Sequence, residues 1–368
     1  MKKYLLAWLF LQLPTLACAS APPAAKPTAT RPASSVATVS EADRYARRCQ
    51  SQSAHRIVRP QGSMLWGTKR SWDTEKKAEE RGSVLVSADL APLRLANASG
   101  VTALRLEGGR LVASPAAEGN AAPPGVVGTV LQGTASDGKP VEVAICGAEP
   151  SLQDPGVVFY RIEAWNSLAQ EWENPCVALG RVPDPRALAV GGVWDASGAH
   201  QDTPGKLTFA CENGAITKCI QWGYKPWERH EGQSLAGLHQ ACTRLARADY
   251  CGNGRSHTGQ DTPIDIYDGL GVLARATRAS GGWDPAKASF EAAWAPDGAT
   301  CIAHTRDGRA MEVILQECPD RLQAGEAVEL TGGDRCTVRR TDVKPGTALL
   351  RNLSYGAPRA PASAGTGP

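Results

Sequence analysis

Apolar residues recur at every second position over much of the chain, the period of strands with one buried face. Val84 and Val86 begin the pattern, and Leu93 and Leu95 continue it. Leu104-Arg105-Leu106-Glu107-Gly108-Gly109-Arg110-Leu111 carries it through a β-hairpin, Gly-Gly supplying the positive φ angles of a tight turn. Short strands are predicted from Val126 to Leu131, Val141 to Cys146, Val157 to Trp165, Leu188 to Trp194 and Lys206 to Cys211. Ser136-Asp137-Gly138 and Asp154-Pro155-Gly156 separate some of them with turn chemistry. Asn213-Gly214 then predicts a hairpin into a strand at Ile216 to Ile220, placing Cys211 near Cys219, with register deciding whether they bridge. Against this background Ser234 to Arg247 reads as a helix, with Leu235, Leu238, Ala241, Cys242 and Leu245 at three- and four-residue spacing. A shorter helix starts at Ser40-Glu41-Ala42-Asp43, with Ser40 as N-cap. Further strand-like stretches lie at Cys301-Ile302 and Val313 to Leu315, the latter with helix as an open alternative. The fold class expected is α+β: β-rich with short antiparallel strands and one main helix.

The first residues break this pattern. Lys2 and Lys3 precede an apolar run from Tyr4 to Leu13, which is half of the ~20 residues a membrane span needs, so residues 1–19 read as a secretory signal peptide. Ala17-Cys18-Ala19 fits a small-x-small cleavage site, while Leu16-Ala17-Cys18 resembles a lipobox that would lipidate Cys18. Residues 20–39 form a Pro-, Ala- and Thr-rich linker, extended by Pro22, Pro23, Pro27 and Pro32. A β-rich segment over 40–119 follows, with an edge near residue 120 at the Pro123-Pro124 loop, then a disulfide-rich domain over 120–340. The tail 356–368, rich in Pro, Ala, Ser and Gly, is expected to be disordered.

Removing or lipidating Cys18 leaves ten cysteines: Cys49, Cys146, Cys176, Cys211, Cys219, Cys242, Cys251, Cys301, Cys318 and Cys336. An even set with no C-x-x-C pair reads as structural disulfides rather than a metal site, and points to an extracytoplasmic setting, secreted or membrane-anchored as a lipoprotein. Cys49 is expected to pin the N-terminal segment to the main body. A formal charge of +3, with 40 basic against 37 acidic residues and no basic stripe, gives no reason to expect nucleic acid as a partner. Membrane contact is expected only through an anchor at Cys18. No cofactor motif occurs, and the partner is left open.

The densest cluster of unusual residues is Ala248-Asp249-Tyr250-Cys251-Gly252-Asn253-Gly254-Arg255-Ser256-His257-Thr258, followed by Thr262-Pro263-Ile264-Asp265-Ile266-Tyr267-Asp268. Together with Thr217-Lys218-Cys219-Ile220-Gln221-Trp222-Gly223-Tyr224-Lys225-Pro226-Trp227 and the helix containing Cys242, it resembles the ADYC domain family over about residues 120 to 320. The resemblance implies an exported bacterial protein. It implies no activity, ligand or catalytic residue.

Read as chemistry, Gly252-Asn253-Gly254 is a helix stop, Asp249 a local cap and Tyr250 a packing ring with a polar tip. His257, in a stretch of loop composition, is expected to tolerate substitution. A competing hydrolase-like site would use His257 as base, Asp261 or Asp265 to orient it, and Ser256 or Thr258 as nucleophile, though no G-x-S-x-G, S-x-x-K or H-E-x-x-H motif supports it. Asp261, Asp265 and Asp268 form a weaker calcium candidate, off the spacing of a Ca²⁺ loop. Trp222, Tyr224 and Trp227 are ligand-binding candidates as a stacking platform, against the plainer expectation of buried packing. His200, His230, His239 and His304 lack metal-ligand spacing. The function expected is a non-catalytic binding or scaffold role in the cell envelope; the alternative is an envelope hydrolase acting on glycan or peptide.

Overall fold

A computed structural model of the chain describes residues 39–51, 64–69, 84–96, 101–114, 123–167, 169–179, 182–259 and 261–356. The expected signal peptide, Cys18, all but Val39 of the linker, and all but Gly356 of the tail lie outside the described residues. Residues from Val39 onward belong to one compact unit.

Helix α1 (Glu41–Ala46) is capped as its sequence demands, the Ser40 side chain accepting from the Asp43 N–H. Numbering strands of three or more residues, β1 (Leu85–Asp89) leads to the hairpin of β2 (Ala103–Glu107) and β3 (Arg110–Ser114), then β4 (Val130–Ala135), β5 (Pro140–Pro150), β6 (Val158–Asn166), β7 (Glu171–Glu173), β8 (Ala187–Gly191) and β9 (Lys206–Cys211). The sheet order is β5-β4-β1-β9-β8-β6-β7, every pairing is antiparallel, and β5 also pairs with β6, so six of these strands close into a barrel. The two-residue periodicity becomes two walls. Val143, Ile145, Val158, Tyr160, Ile162, Leu207 and Phe209 fill the interior, whereas Ala144, Phe159, Leu188 and Ala210 face outward under other elements. The β2–β3 hairpin, with Gly108 and Gly109 at φ 52° and 78°, adds Leu104 and Leu111 to that interior. The Leu111 N–H donates to the Tyr160 hydroxyl at 2.7 Å, and burial pushes that hydroxyl up to about 12. β1 precedes residue 120 yet lies between β4 and β9, so one sheet crosses the expected domain edge.

The hairpin expected at Asn213-Gly214 is not formed. Residues Ala215–Gln221 are helix α2, with Ala215, Ile216, Thr217, Cys219 and Ile220 all buried. Cys211 bridges Cys176 instead, and Cys219 bridges Cys242 on helix α3 (Ala236–Arg247). Gly214 has an ordinary φ of −83°, and a Cβ there would lie 2.7 Å from the Leu65 carbonyl oxygen, so the glycine serves close approach of backbone rather than a turn.

β10 (Ile264–Asp268), β11 (Ser289–Ala295), β12 (Gly298–Ile302), helix α4 (Met311–Glu317), β13 (Leu322–Glu329), β14 (Arg335–Arg340) and β15 (Leu350–Ser354) complete the chain. They make a second antiparallel sheet in the order β10-β15-β11-β12-β14-β13. α3 lays Leu238, Ala241, Cys242 and Leu245 into one core with Ala292, Trp294, Ile302 and Leu350 of that sheet. It is the longest of four helices among the described residues, so "one main helix" becomes one long helix and three short ones, the stretch at 313–315 among them. Five disulfides staple the fold: Cys49–Cys146, Cys176–Cys211, Cys219–Cys242, Cys251–Cys318 and Cys301–Cys336. They place the folded chain in an oxidising, extracytoplasmic environment. No helix among the described residues is long and apolar enough to cross a membrane.

Candidate functional site

α3 ends because Ala248 turns left-handed (φ 49°, ψ 43°), a conformation closed by the Asp249 N–H donating back to the Arg244 carbonyl at 2.9 Å. That reversal turns the next residues inward. Asp249 is fully buried; its carboxylate accepts from Arg244 Nη1 (2.7 Å), the Asn253 N–H (3.1 Å) and the Gly254 N–H (3.0 Å), so it shapes the following loop and neutralises a buried guanidinium. Tyr250 stacks on Trp294 with ring centroids 5.3 Å apart. Its hydroxyl donates to Glu291 Oε1 at 3.0 Å and accepts from the Arg306 N–H at 2.8 Å, and burial holds it well above the usual phenol range. Glu291, itself fully buried, is held by both Nε and Nη2 of Arg306 at 2.9 Å and by Asn352 Nδ2 at 2.8 Å; Trp294 Nε1 in turn donates to Asn352 Oδ1. Cys251 is bridged to Cys318.

His257 corrects the expectation of a tolerant loop residue: it is 2% exposed. Its Nδ1 faces the Ala248 carbonyl at 2.9 Å and its Nε2 the Glu317 carboxylate at 2.8 Å. Both ring nitrogens are thus engaged by internal oxygen partners, a carbonyl and a carboxylate, rather than by a hydroxyl. The Ser256 hydroxyl donates to the Arg247 carbonyl and that of Thr258 to the Gly259 carbonyl. Asp265 accepts from the Ala276 N–H, its carboxyl raised by burial, and Asp261 sits at φ 59°. The carboxylate the structure brings to His257 is therefore Glu317, from a helix sixty residues on. Asp268 caps the Leu270, Val272 and Leu273 N–H groups. Among the described residues the candidate metal ligands that converge are Cys49, Cys146 and Glu163, whose two sulfurs are tied in a disulfide.

Of the aromatic candidates, Tyr224 is fully buried, its hydroxyl donating to Asp268 at 2.9 Å. Trp222 and Trp227 are half-buried, packed on the α3 core and on the core beneath α2; Trp227 also lies against the Gly108-Gly109 turn. Beside them an open cleft of about 250 Å³ lies between the β5–β6 turn and the end of α2. Val157, Phe159 and Ile220 give it an apolar floor, with Gln153, Gln221 and Lys225 on the polar rim. Lys225 is held by Asp154 at 2.5 Å and Glu228 at 3.0 Å, and Leu152 on the same turn is fully exposed.

Glu291, Arg306, Glu317 and Asn352 carry the site yet have no local sequence signal: the first three are ordinary polar residues 40 or more positions beyond their partners in the 248–257 segment, and Asn352 joins through Glu291. What they define is a disulfide-bridged antiparallel β protein in which a buried polar tie fastens helix α3 to the second sheet. The chain belongs to the ADYC domain family: residues 124–308, half of its length, match that domain, including Ala248-Asp249-Tyr250-Cys251 itself. Comparison with curated proteins and with solved structures finds no match.

Proposed function

We propose that this protein is an exported, non-catalytic binding module of the cell envelope, whose signature segment is scaffold and whose ligand seat is the cleft between the β5–β6 turn and α2. The observation that carries this reading is a contrast. Every side chain of the signature segment that could do chemistry is committed to an internal partner, whereas the cleft keeps amide and charged groups on its rim beside a fully exposed Leu152. At about 250 Å³ the cleft falls below the ~300–1,000 Å³ of small-molecule sites, a size suited to one side chain of a longer ligand. Its one ring, Phe159, is covered by Arg186 with the guanidinium 4.6 Å from the centroid, so no bare aromatic face awaits a sugar. A peptide, pairing its amides with Gln153 and Gln221 and an apolar side chain with Leu152, fits the lining better than a glycan does. The linker 20–39 and lipidation at Cys18 would hold the module at a membrane; Cys18→Ala then releases it from the membrane fraction.

The binding test is NMR titration of the labelled protein with a random tetrapeptide library. Binding that shifts the amides of Gln153, Gln221 and Lys225, and that Leu152→Ser or Lys225→Ala weakens by about fivefold or more with Tm unchanged, supports the reading. Peptide cleavage, or shifts confined to other surfaces, overturns it.

A further inference from the structure

The five disulfides are not equivalent. Eight of the ten bridged cysteines are buried in the cores; Cys49 and Cys146 are the two that solvent reaches. Their bridge joins positions 97 residues apart and ties down residues 39–51, whose helix is six residues long and buries one side chain, Tyr45. A helix that short does not hold itself in water. The other ties are polar: Tyr45 and Arg44 to Glu142 at 2.9 and 3.1 Å, Trp172 Nε1 to the Arg44 carbonyl at 2.7 Å, and the Cys49 and Ser51 N–H groups to Glu163 at 2.7 and 3.2 Å. Glu163 is 1% exposed, and its carboxylate lies within 4.8 Å of both sulfurs.

We propose that Cys49–Cys146 is a redox-exchange site: a dithiol reduces this bridge while the four buried ones stay closed, and reduction unlatches residues 39–51 from the barrel wall. In the first step a thiolate of the dithiol attacks Cys49 Sγ. A mixed disulfide forms there, the Cys49–Cys146 bond breaks, and its electron pair leaves on Cys146 Sγ, which takes up a proton from solvent. The second thiol of the reductant then attacks the mixed disulfide. Cys49 leaves as a thiolate and is protonated from solvent, and the reductant departs as its own disulfide; two electrons have passed from it to the protein. With the bridge open, the segment that covers Trp165 and Trp172 keeps its polar ties, the Tyr45 ring, Val39 and the Arg44 guanidinium over Trp165.

The test is native reduction of the full folded chain by dithiothreitol, with thiols alkylated at intervals and mapped by mass spectrometry. Two thiols, at Cys49 and Cys146, should open at least about tenfold faster than any others, because the buried bridges react only after local opening. Trypsin should then cut at Arg47 and Arg48 faster than in the oxidised protein. A Cys49→Ser/Cys146→Ser variant should keep the far-ultraviolet circular dichroism of the parent and lose the fast phase. Simultaneous opening of all five bridges, or a buried bridge opening first, overturns the site, and trypsin sensitivity unaltered by reduction overturns the unlatching.

Discussion

Asp249 shows what a motif residue is worth when its partner is a buried cation. Asp249→Ala leaves Arg244, 3% exposed at its side chain, without its counter-charge, and breaking a buried pair in this way costs about 3–5 kcal/mol. Asp249→Asn, which keeps an acceptor for the loop N–H groups, should be milder, and chemical denaturation of the two variants gives the comparison. His257→Ala should be destabilising by about 1–3 kcal/mol, since it removes the buried ring that is hydrogen-bonded to both Ala248 and Glu317. His239 supplies a pH signature. It is buried on α3, its Nε2 donating to the Ile216 carbonyl at 3.1 Å, and burial pushes it down to about 4 from an ordinary 6.5. The unfolded chain therefore binds the proton first, so stability from this group is intact above pH 6.5 and falls away as the pH drops toward 4. The full difference corresponds to about 3 kcal/mol. Denaturation curves of the parent and His239→Gln should diverge above pH 6.5 and converge as the pH falls; parallel curves would count against the buried neutral ring.

At the scale of elements, strands and the long helix were legible and the connections less so. The β2–β3 hairpin and α3 were readable because their apolar spacing is local and their turn residues do one job each. α2 was not, because it is short, with five of its seven residues buried and three of them β-branched, so no stripe distinguishes it from a strand, and its Asn-Gly start serves packing. Asp249 and Tyr250 stood out as a motif, but nothing near them announces Glu291, Arg306 or Glu317, which only the fold brings in. The join between elements can be probed at glycine. Gly252, at φ 66°, would place a Cβ 1.8 Å from the Asp297 carbonyl oxygen in the β11–β12 turn, whereas Gly271, at φ 80°, faces open space. Gly271→Ala should cost only the ~1–2 kcal/mol of left-handed backbone. Gly252→Ala must also push the two turns apart and should yield little or no folded protein; equal melting temperatures for the two would contradict this contact.

For the whole molecule, the family match and the folding unit do not coincide. Residues 124–308 omit β1, which joins β4 to β9, and also β13, β14 and β15 of the second sheet. They omit the partners of three disulfides as well: Cys49, Cys318 and Cys336. A fragment of 124–308 should therefore expose three free thiols and show no cooperative unfolding transition, while the chain from residue 39 to 356 should show one. Cooperative melting of the shorter fragment would mean that the matched region folds by itself.

The position of β15 has a consequence for biogenesis. The last strand among the described residues lies in the interior of its sheet, between β10 and β11, and brings Asn352 to the buried Glu291. A nascent chain that has emerged only to residue 349 holds β10 and β11 with no strand to join them, so the second sheet stays open until β15 follows. A central strand delivered after both of its neighbours acts as a timing device for this sheet.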